Sequence, residues 1–170
     1  PLGASVPKLE ATRSYGAEVR QLGATVDEAL SAARAEAART GKVLIHPFDH
    51  PDVVAGQGTV ALEILEQVPD VGTVVVPLGG GGLVAGIATV LAELAPHVRV
   101  VGVQAASAAA YPASLAAGRP LAGDLGATMA DGIAVGTPGE VPFEVLTRLG
   151  VEVRTVTEDQ MSRALLMVAE

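Results

Sequence analysis

The sequence predicts an α/β fold in which a mainly parallel sheet carries helices on both faces. Segments with helical and strand-like hydrophobic patterns alternate along the chain and are joined by short links, as in folds built from successive βαβ units. Two continuous apolar segments, at residues 73–78 and 98–104, are typical of strands buried on both faces of a parallel sheet. The helices between such strands act as crossovers, which are expected to be right-handed.

Four elements are predicted in the first 46 residues. They are a helix at residues 5–15, a strand at 18–22, a helix at 26–40 and a strand at 43–46. Ser5 can cap the first helix, and Gly16 supplies a left-handed residue that ends it. The second helix is predicted to begin with a capping box formed by Thr25 and Glu28 and to end at Gly41.

The same alternation continues through the rest of the chain. The predicted elements are a helix at 54–68, a strand at 73–78, a helix at 83–94, a strand at 98–104, a helix at 142–149 and a strand at 151–156. Pro69 and Pro96 follow the first two of these helices, because proline cannot continue a helix. A second capping box, formed by Thr157 and Gln160, opens a final helix. Residues 105–142, rich in Ala, Gly and Pro, show no pattern that assigns an element.

The composition argues against several classes of protein. Of the 170 residues, 49% are hydrophobic and 18% are charged, so the chain can bury a core and is not a disordered acidic segment. The net charge of -8 repels phosphate backbones and aromatic residues make up only 2%, so we expect no nucleic-acid partner. The absence of cysteine removes disulfides, thiolate metal ligands and thiol nucleophiles.

The sequence shows no targeting or membrane segment. No apolar segment reaches the roughly 20 residues that a membrane-spanning helix needs, and none resembles a secretory signal. We therefore expect a cytoplasmic protein with no membrane partner. The chain begins with Pro1 rather than Met and ends at Glu170 within a helical pattern, so it is interpreted as a fragment. Apolar faces uncovered in this way predict self-association into a homo-oligomer.

The strongest candidate site is a run of four glycines between a predicted buried strand and a predicted helix. These are Gly79, Gly80, Gly81 and Gly82, followed by Leu83. Without Cβ atoms, a backbone can approach a ligand closely and turn its N–H groups towards it. The following helix adds unpaired N–H groups and the positive end of its dipole. The segment is therefore predicted to bind a phosphate group, the alternative being a tight turn without a ligand.

Two familiar nucleotide motifs match this segment poorly. A P-loop requires Gly-Lys-Ser/Thr, and Leu83 stands at the lysine position. The spacing of Gly80, Gly82 and Ala85 matches part of a dinucleotide fingerprint. That fingerprint requires an acidic residue at the end of the next strand, where this chain has Gln104. A nucleotide-binding α/β module therefore remains a weaker alternative.

Two further groups of polar residues are candidate sites. His46 and His50 have a spacing that suits metal ligands on a helix, but Pro47 and Pro51 interrupt a helix there. A polar loop is the preferred interpretation, and no metal site is predicted. Asp131 lies in a short polar stretch within an apolar region, which indicates either a functional loop or an Asx turn.

Five segments in a fixed order resemble the threonine dehydratases, also called threonine ammonia-lyases. In chain order they are Pro7-Lys-x-Glu-Ala-Thr-Arg-Ser-Tyr-Gly-Ala-Glu-Val, His46-Pro-Phe-Asp, Ala55-Gly-Gln-Gly-Thr-Val-Ala-Leu-Glu-Ile, Gly79-Gly-Gly-Gly-Leu and Ala130-Asp-Gly. That family belongs to the pyridoxal-phosphate enzymes of the tryptophan-synthase-β-like fold, fold type II. The resemblance covers the whole chain. Serine dehydratases and serine racemases are relatives of this family, so either kind is an alternative.

The resemblance implies a two-domain α/β protein with pyridoxal 5'-phosphate in the cleft between its domains. Residues 1–46 correspond to the second half of the small domain, and residues 47–170 to most of the large, cofactor-binding domain, with an incomplete sheet. The residues implied to bind the cofactor are Gly79, Gly80, Gly81, Gly82, Leu83, Phe48 and Gly132. The implied lyase reaction removes the β-hydroxyl of a small amino acid, converting L-threonine to 2-oxobutanoate and ammonia, in isoleucine biosynthesis or in threonine degradation.

Several residues on which that family relies are missing from this sequence. The family binds its cofactor covalently through a lysine in a Ser/Ala-Phe-Lys-x-Arg setting, whereas Lys8 and Lys42 lie in other settings. The family's Ser-Gly-Asn-His segment, which holds the substrate carboxylate, is also missing. Some relatives bind a divalent cation through acidic residues where this chain has Gln104 and Ala110, so no metal is expected. No catalytic residue is therefore assigned, and the chain alone is expected to be inactive.

Overall fold

The computed structural model describes residues 1–169, which form two compact units, Pro1–Ile45 and a second unit that begins at His46. The first unit holds helices α1 (Val6–Ser14) and α2 (Val26–Thr40). The second unit holds α3 (Pro51–Gln67), β1 (Thr73–Pro77), α4 (Gly82–Leu94), β2 (Arg99–Ala105), α5 (Tyr111–Ala117), α6 (Glu140–Leu149), β3 (Glu152–Val156) and α7 (Glu158–Ala169). The predicted α/β class is confirmed.

The ends of the first two helices test the capping predictions. The hydroxyl of Thr25 accepts a hydrogen bond of 3.2 Å from the N–H of Glu28, so the capping box of α2 is confirmed on that side. The carboxylate of Glu28 accepts from the N–H of Ala24 at 2.8 Å, one residue before the position that a capping box uses. The prediction that Ser5 caps α1 is wrong, because its side chain makes no capping hydrogen bond.

The strands predicted at residues 18–22 and 43–46 are wrong, because neither segment is a strand in the structure. A strand exists through hydrogen bonds to a neighbouring strand, and within residues 1–169 neither segment has such a neighbour. Arg20 instead forms salt bridges with Glu18 at 2.7 Å and with Glu36 at 3.2 Å. A short apolar pattern was therefore not enough to define a strand.

The sheet has three parallel strands in the order β1-β2-β3. The expectation that residues 73–78 are buried on both faces is wrong for the described part of the chain. Val74 and Val76 are buried, whereas Val75 between them is 65% exposed. Val74 and Val76 belong to the core cluster formed with residues of α4, so only the face of β1 that meets this helix is covered.

Helices α3 and α4 cross at two glycines, and α4 lies against β1 and β2. A Cβ atom on Gly86 would collide with the backbone of Val54 and Gly58, and one on Gly58 would lie 3.2 Å from the carbonyl oxygen of Gly86. α3 begins at Pro51, three residues before its predicted start at residue 54. Its N-cap is His50, whose Nδ1 accepts a hydrogen bond of 3.2 Å from the N–H of Asp52. The close crossing holds the N-terminus of α4 beside the segment that precedes α3.

Candidate functional site

The four glycines link the carboxyl end of β1 to the N-terminus of α4. The N–H of Leu78 continues the sheet by donating to the carbonyl oxygen of Val103 at 2.8 Å. Gly81 has φ +103°, a left-handed conformation that favours glycine, and α4 begins at Gly82, one residue before the predicted start. Such a turn at the carboxyl end of a parallel strand is the usual position of ligand sites in α/β sheets.

The N–H groups of this link are not used by the protein. Within residues 1–169, none of the N–H groups of residues 79–83 donates a hydrogen bond to a protein acceptor. Pairing begins only with Ala85, whose N–H donates to the carbonyl oxygen of Gly81 at 2.9 Å. Unpaired N–H groups at a helix N-terminus, next to the positive end of the helix dipole, attract anions. The link therefore has the donors that a phosphate group requires.

The carbonyl oxygen of Gly80 is held by two donors from outside the glycine link. It accepts hydrogen bonds from the N–H of Gly139 at 3.0 Å and from the hydroxyl of Tyr111 at 3.2 Å. The chain has no cis peptide bond among its described residues. In a trans peptide the C=O of one residue and the N–H of the next point in opposite directions, so the N–H of Gly81 points away from Tyr111 and Gly139.

Packing explains why all four positions are glycine. A Cβ on Gly80 would meet the ring of Phe48, one on Gly82 would lie 3.0 Å from the Cβ of Phe48, and one on Gly79 would lie 3.1 Å from the Cα of Ile133. A Cβ on Gly81 would collide with the hydroxyl oxygen of Tyr111.

The collision at Gly81 shows where an added side chain would lie. It would point at the buried hydroxyl of Tyr111. The left-handed φ of Gly81 would add backbone strain to this collision.

Phe48 lies against the glycine link and is itself held by a turn. Its ring meets the ring of His46 edge-on, with 4.8 Å between centroids and an interplanar angle of 90°. His46 is buried, and its Nδ1 accepts hydrogen bonds from the N–H of Asp49 at 2.8 Å and of Phe48 at 3.3 Å. The segment 46–49 thus folds as a turn that presses the ring of Phe48 onto two of the glycines.

His46 and His50, the candidate metal ligands, instead accept hydrogen bonds from backbone N–H groups. The acceptor atom is Nδ1 in both residues, and the N–H groups lie further along the chain. Across residues 1–169, no group of three or more histidine, aspartate or glutamate side chains is arranged to hold a metal ion. His50 is a helix cap and His46 organises a turn, which accounts for both residues structurally.

Gly132 lies in a short 3₁₀ turn, Asp131–Ile133, beside the glycine link. The last residue of this turn, Ile133, is the neighbour that a Cβ on Gly79 would meet. Gly132 itself is exposed, and a Cβ built on it would meet nothing within 4 Å. The structure therefore brings the turn that carries Gly132, the ring of Phe48 and the four glycines into one region of the second unit.

Sequence reasoning missed Tyr111, which is fully buried and contacts the glycine link. Burial, and to a smaller extent the negative charge of Asp49, raise the pKa of the Tyr111 phenol far above its usual value. Tyr111 lies in residues 105–142, where no hydrophobic period marks an element. The only available signal was composition, since the chain has only two tyrosines.

Gln104 departs from the dinucleotide fingerprint, and in the structure it is a buried hydrogen-bond acceptor. It is fully buried at the end of β2, and its Oε1 accepts a hydrogen bond of 3.0 Å from the N–H of Tyr111. Its Nε2 has no partner among the described residues. A side chain enclosed in this way is not available to a ribose, which adds to the evidence against the nucleotide-binding alternative.

Comparison with known proteins shows similarity along the whole chain. Residues 1–170 match the family model described as pyridoxal-phosphate dependent enzyme. The L-threonine ammonia-lyase of Geobacter sulfurreducens is 45% identical over 163 residues, which are 96% of this chain and 40% of that protein. The L-threonine ammonia-lyase of Thermotoga maritima is 42% identical over 170 residues, which are 100% of this chain and 42% of that protein. The chain thus spans less than half the length of these relatives.

Solved structures give the same result for the fold. The processed form of threonine deaminase isoform 2 from Solanum lycopersicum superimposes with a TM-score of 0.83 at 37% identity, covering 92% of this chain and 46% of that one. Maize serine racemase superimposes with a TM-score of 0.89 at 32% identity, covering 99% of this chain and 51% of that one.

Proposed function

This chain belongs to the family of pyridoxal-phosphate dependent enzymes, and on that premise we propose that it forms the part of a threonine ammonia-lyase that binds the cofactor phosphate. The observation that carries the proposal is the set of unpaired N–H groups at residues 79–83. They lie at the N-terminus of α4, in a link whose glycines are each packed against a neighbour. The donors and the backbone shape fit a phosphate group.

Each residue predicted for the site has a distinct role in this proposal. The N–H groups of Gly79, Gly80, Gly81, Gly82 and Leu83 bind the phosphate oxygens, and the dipole of α4 favours the dianion. In this proposal Phe48 lies beside the cofactor ring, and Gly132 lies close to the ring as well. When bound, pyridoxal phosphate supplies an electron sink that acidifies the α-proton of an amino acid. No residue described here is assigned the proton transfer itself.

The proposed substrate is L-threonine, which would be converted to 2-oxobutanoate and ammonia. The support is that relatives named L-threonine ammonia-lyase are 45% and 42% identical, whereas the neighbours named serine racemase are 32% and 34% identical. A role in isoleucine biosynthesis rests on the biosynthetic threonine dehydratase of Pasteurella multocida, 39% identical over 163 residues. A role in threonine degradation rests on the catabolic enzyme of Escherichia coli, 36% identical over 170 residues.

The activity is tested with the complete gene product that contains these 170 residues. The protein is incubated with pyridoxal phosphate and with L-threonine, L-serine or D-serine in separate reactions. We expect 2-oxobutanoate and ammonia to form from L-threonine faster than pyruvate forms from either serine isomer. Interconversion of the serine isomers without turnover of L-threonine would favour a serine racemase and contradict the proposal.

The phosphate site is tested with two substitutions at glycines of positive φ. Gly81→Ala places a Cβ against Tyr111, whereas Gly118→Ala places one in open space at φ +68°. In both variants an alanine in the left-handed conformation costs roughly 1–2 kcal/mol of stability. Only Gly81→Ala also deforms the glycine link. We expect Gly81→Ala to weaken pyridoxal phosphate binding roughly tenfold or more. Equal binding by the two variants would count against the site.

We also propose that the protein is a cytoplasmic homo-oligomer. No helix among residues 1–169 combines the length and the apolar character needed to cross a membrane. The last helix exposes four consecutive large apolar side chains, Leu165, Leu166, Met167 and Val168. Large apolar side chains exposed around a helix favour association with another copy. Light scattering of the complete gene product at tens of micromolar, an order of magnitude that reveals weak contacts, should show an oligomer, and a monomer would contradict the proposal.

A further inference from the structure

We propose that Tyr111 is a positioning residue for the phosphate-binding link, because its hydroxyl holds the peptide between Gly80 and Gly81 in the orientation that presents the N–H of Gly81 to the phosphate. This inference rests on the proposed function and extends it to a residue outside the glycine motif. Tyr111 itself does not touch the phosphate. Its effect passes through the carbonyl oxygen of Gly80.

The geometry gives the carbonyl oxygen of Gly80 a complete set of donors. The hydroxyl of Tyr111 lies 3.2 Å away and the N–H of Gly139 lies 3.0 Å away. A carbonyl oxygen has two lone pairs, so these two donors occupy both. Because the peptide is trans, fixing its C=O also fixes the N–H of Gly81 on the opposite side.

Tyr111 is itself held firmly enough to act as an anchor. Its backbone N–H donates to the buried Oε1 of Gln104 at 3.0 Å, and its ring lies 6.3 Å from the ring of Phe143. The side chain is fully buried, and the raised pKa keeps its hydroxyl protonated. Among the described residues, the carbonyl oxygen of Gly80 is the acceptor that this hydroxyl uses.

A run of four glycines needs such an external restraint. Glycine populates positive and negative φ about equally, so the link has more backbone entropy to lose than other sequences. A site whose N–H groups are already oriented loses less conformational entropy when the anion binds. Close packing requires glycine at positions 80 and 81, and glycine makes the backbone flexible. The hydroxyl of Tyr111 restricts that flexibility.

The test compares Tyr111→Phe with Tyr15→Phe in the complete gene product. Tyr15 is the other tyrosine of these 170 residues and is 86% exposed, so its substitution removes one hydroxyl away from the link. Affinities are measured for inorganic phosphate by ³¹P NMR, and for pyridoxal phosphate and phosphate-free pyridoxal by fluorescence. We expect Tyr111→Phe to bind the two phosphate compounds roughly three- to tenfold more weakly. Binding of pyridoxal should be unchanged, as should all three affinities of Tyr15→Phe.

The outcomes separate this inference from the proposed function. If the unmodified protein binds neither phosphate compound better than pyridoxal, the proposed function fails. If it does, and Tyr111→Phe binds phosphate as well as the unmodified protein, the inference fails. Equal weakening of phosphate compounds and pyridoxal would indicate a merely structural role and would also overturn the inference.

A second pair of variants tests the contacts of the Gly80 carbonyl oxygen without altering Tyr111. Gly139 has φ -64°, which suits proline, and Gly139→Pro deletes the other N–H that holds Gly80. Gly139→Ala adds a Cβ at the same place and keeps the N–H. We expect the proline variant to bind inorganic phosphate roughly three- to tenfold more weakly than the alanine variant. Equal binding by the two variants would contradict a role for the carbonyl contacts.

Discussion

The carboxylate of Asp49 accepts a hydrogen bond of 2.9 Å from the N–H of Val141, a residue 92 positions further along the chain. Val141 lies in the first turn of α6, where N–H groups have no partner within the helix. The N-cap residue, Gly139, has no side chain to supply one. Asp49 therefore caps α6 from a distant segment and ties the turn that carries Phe48 to the helix whose N-cap holds the carbonyl of Gly80.

Replacing Asp49 should reveal the strength of this distant cap. We expect Asp49→Ala to lower the free energy of unfolding by about 1–2 kcal/mol, as other lost helix caps do. Asp49→Asn keeps an oxygen that can accept from Val141 and should lose less than half as much. Urea unfolding followed by circular dichroism measures both values. Equal losses in the two variants would mean that the hydrogen bond is not the source of the stability.

The raised pKa of Tyr111 predicts an unusual alkaline titration. In the 170-residue chain carrying Tyr15→Phe, Tyr111 is the only phenol, and its phenolate absorbance should appear well above the ordinary pKa of about 10. Because the folded pKa exceeds the unfolded one, stability is complete below the unfolded pKa and is lost as the pH rises through the folded value. Asp49→Asn should bring the titration to lower pH by removing a negative charge. A titration near pH 10 in the folded protein would contradict the burial of Tyr111.

The crossing of α3 and α4 predicts opposite effects for two helical glycines. Gly86→Ala places a Cβ against backbone atoms of α3, and we expect it to lower the free energy of unfolding by about 1–3 kcal/mol. Gly56→Ala lies in α3 with nothing within 4 Å of the new Cβ. It should raise stability by about 0.5–1 kcal/mol, because alanine favours a helix more than glycine does. Thermal unfolding of the two variants decides the matter, and destabilisation of both would refute this account of the crossing.

The burial of Gln104 predicts that two substitutions there differ in how their loss of stability depends on pH. Gln104→Leu loses the hydrogen bond from the N–H of Tyr111 and should cost about 1–3 kcal/mol at every pH. Gln104→Glu places a carboxyl where burial raises its pKa. Its destabilisation should therefore increase as the pH rises above about 4.3, the unfolded value, whereas that of the leucine variant should not. Parallel pH profiles for the two variants would contradict the burial.

Glu158 predicts an acid-sensitive contact at the start of α7. The N–H of Met129 above all, then the hydroxyls of Thr128 and Ser107, hold the pKa of Glu158 below its usual value. The folded pKa is the lower one, so the contact stabilises above the unfolded pKa of about 4.3 and is lost as the pH falls through the folded value. NMR of the Met129 amide should follow this loss, and Glu158→Gln should abolish the titration. Asp159→Asn, next in the chain, should leave the titration of the Met129 amide unchanged. If that titration persisted in Glu158→Gln, the contact would be refuted.

Much of the local structure was predictable because it depends on neighbours in sequence. The box of Thr25 and Glu28, the left-handed Gly41 and the glycine link after β1 each follow from residues within a few positions of one another. Tyr111 could not be predicted in the same way. Its partners are Gly80, 31 positions earlier, and Gln104, and nothing in the intervening sequence marks them as neighbours.

The sequence by itself determined the class of the fold, the link from strand to helix and its four glycines, because hydrophobic period and missing Cβ atoms act through the local backbone. Only the tertiary structure decided that residues 18–22 and 43–46 are not strands, that Val75 is exposed, and that Gly81 is packed on Tyr111. These features depend on which segments meet in space. Strand pairing, burial and the contacts of a Cβ are properties of pairs of distant residues, and local propensity contains no information about the partner.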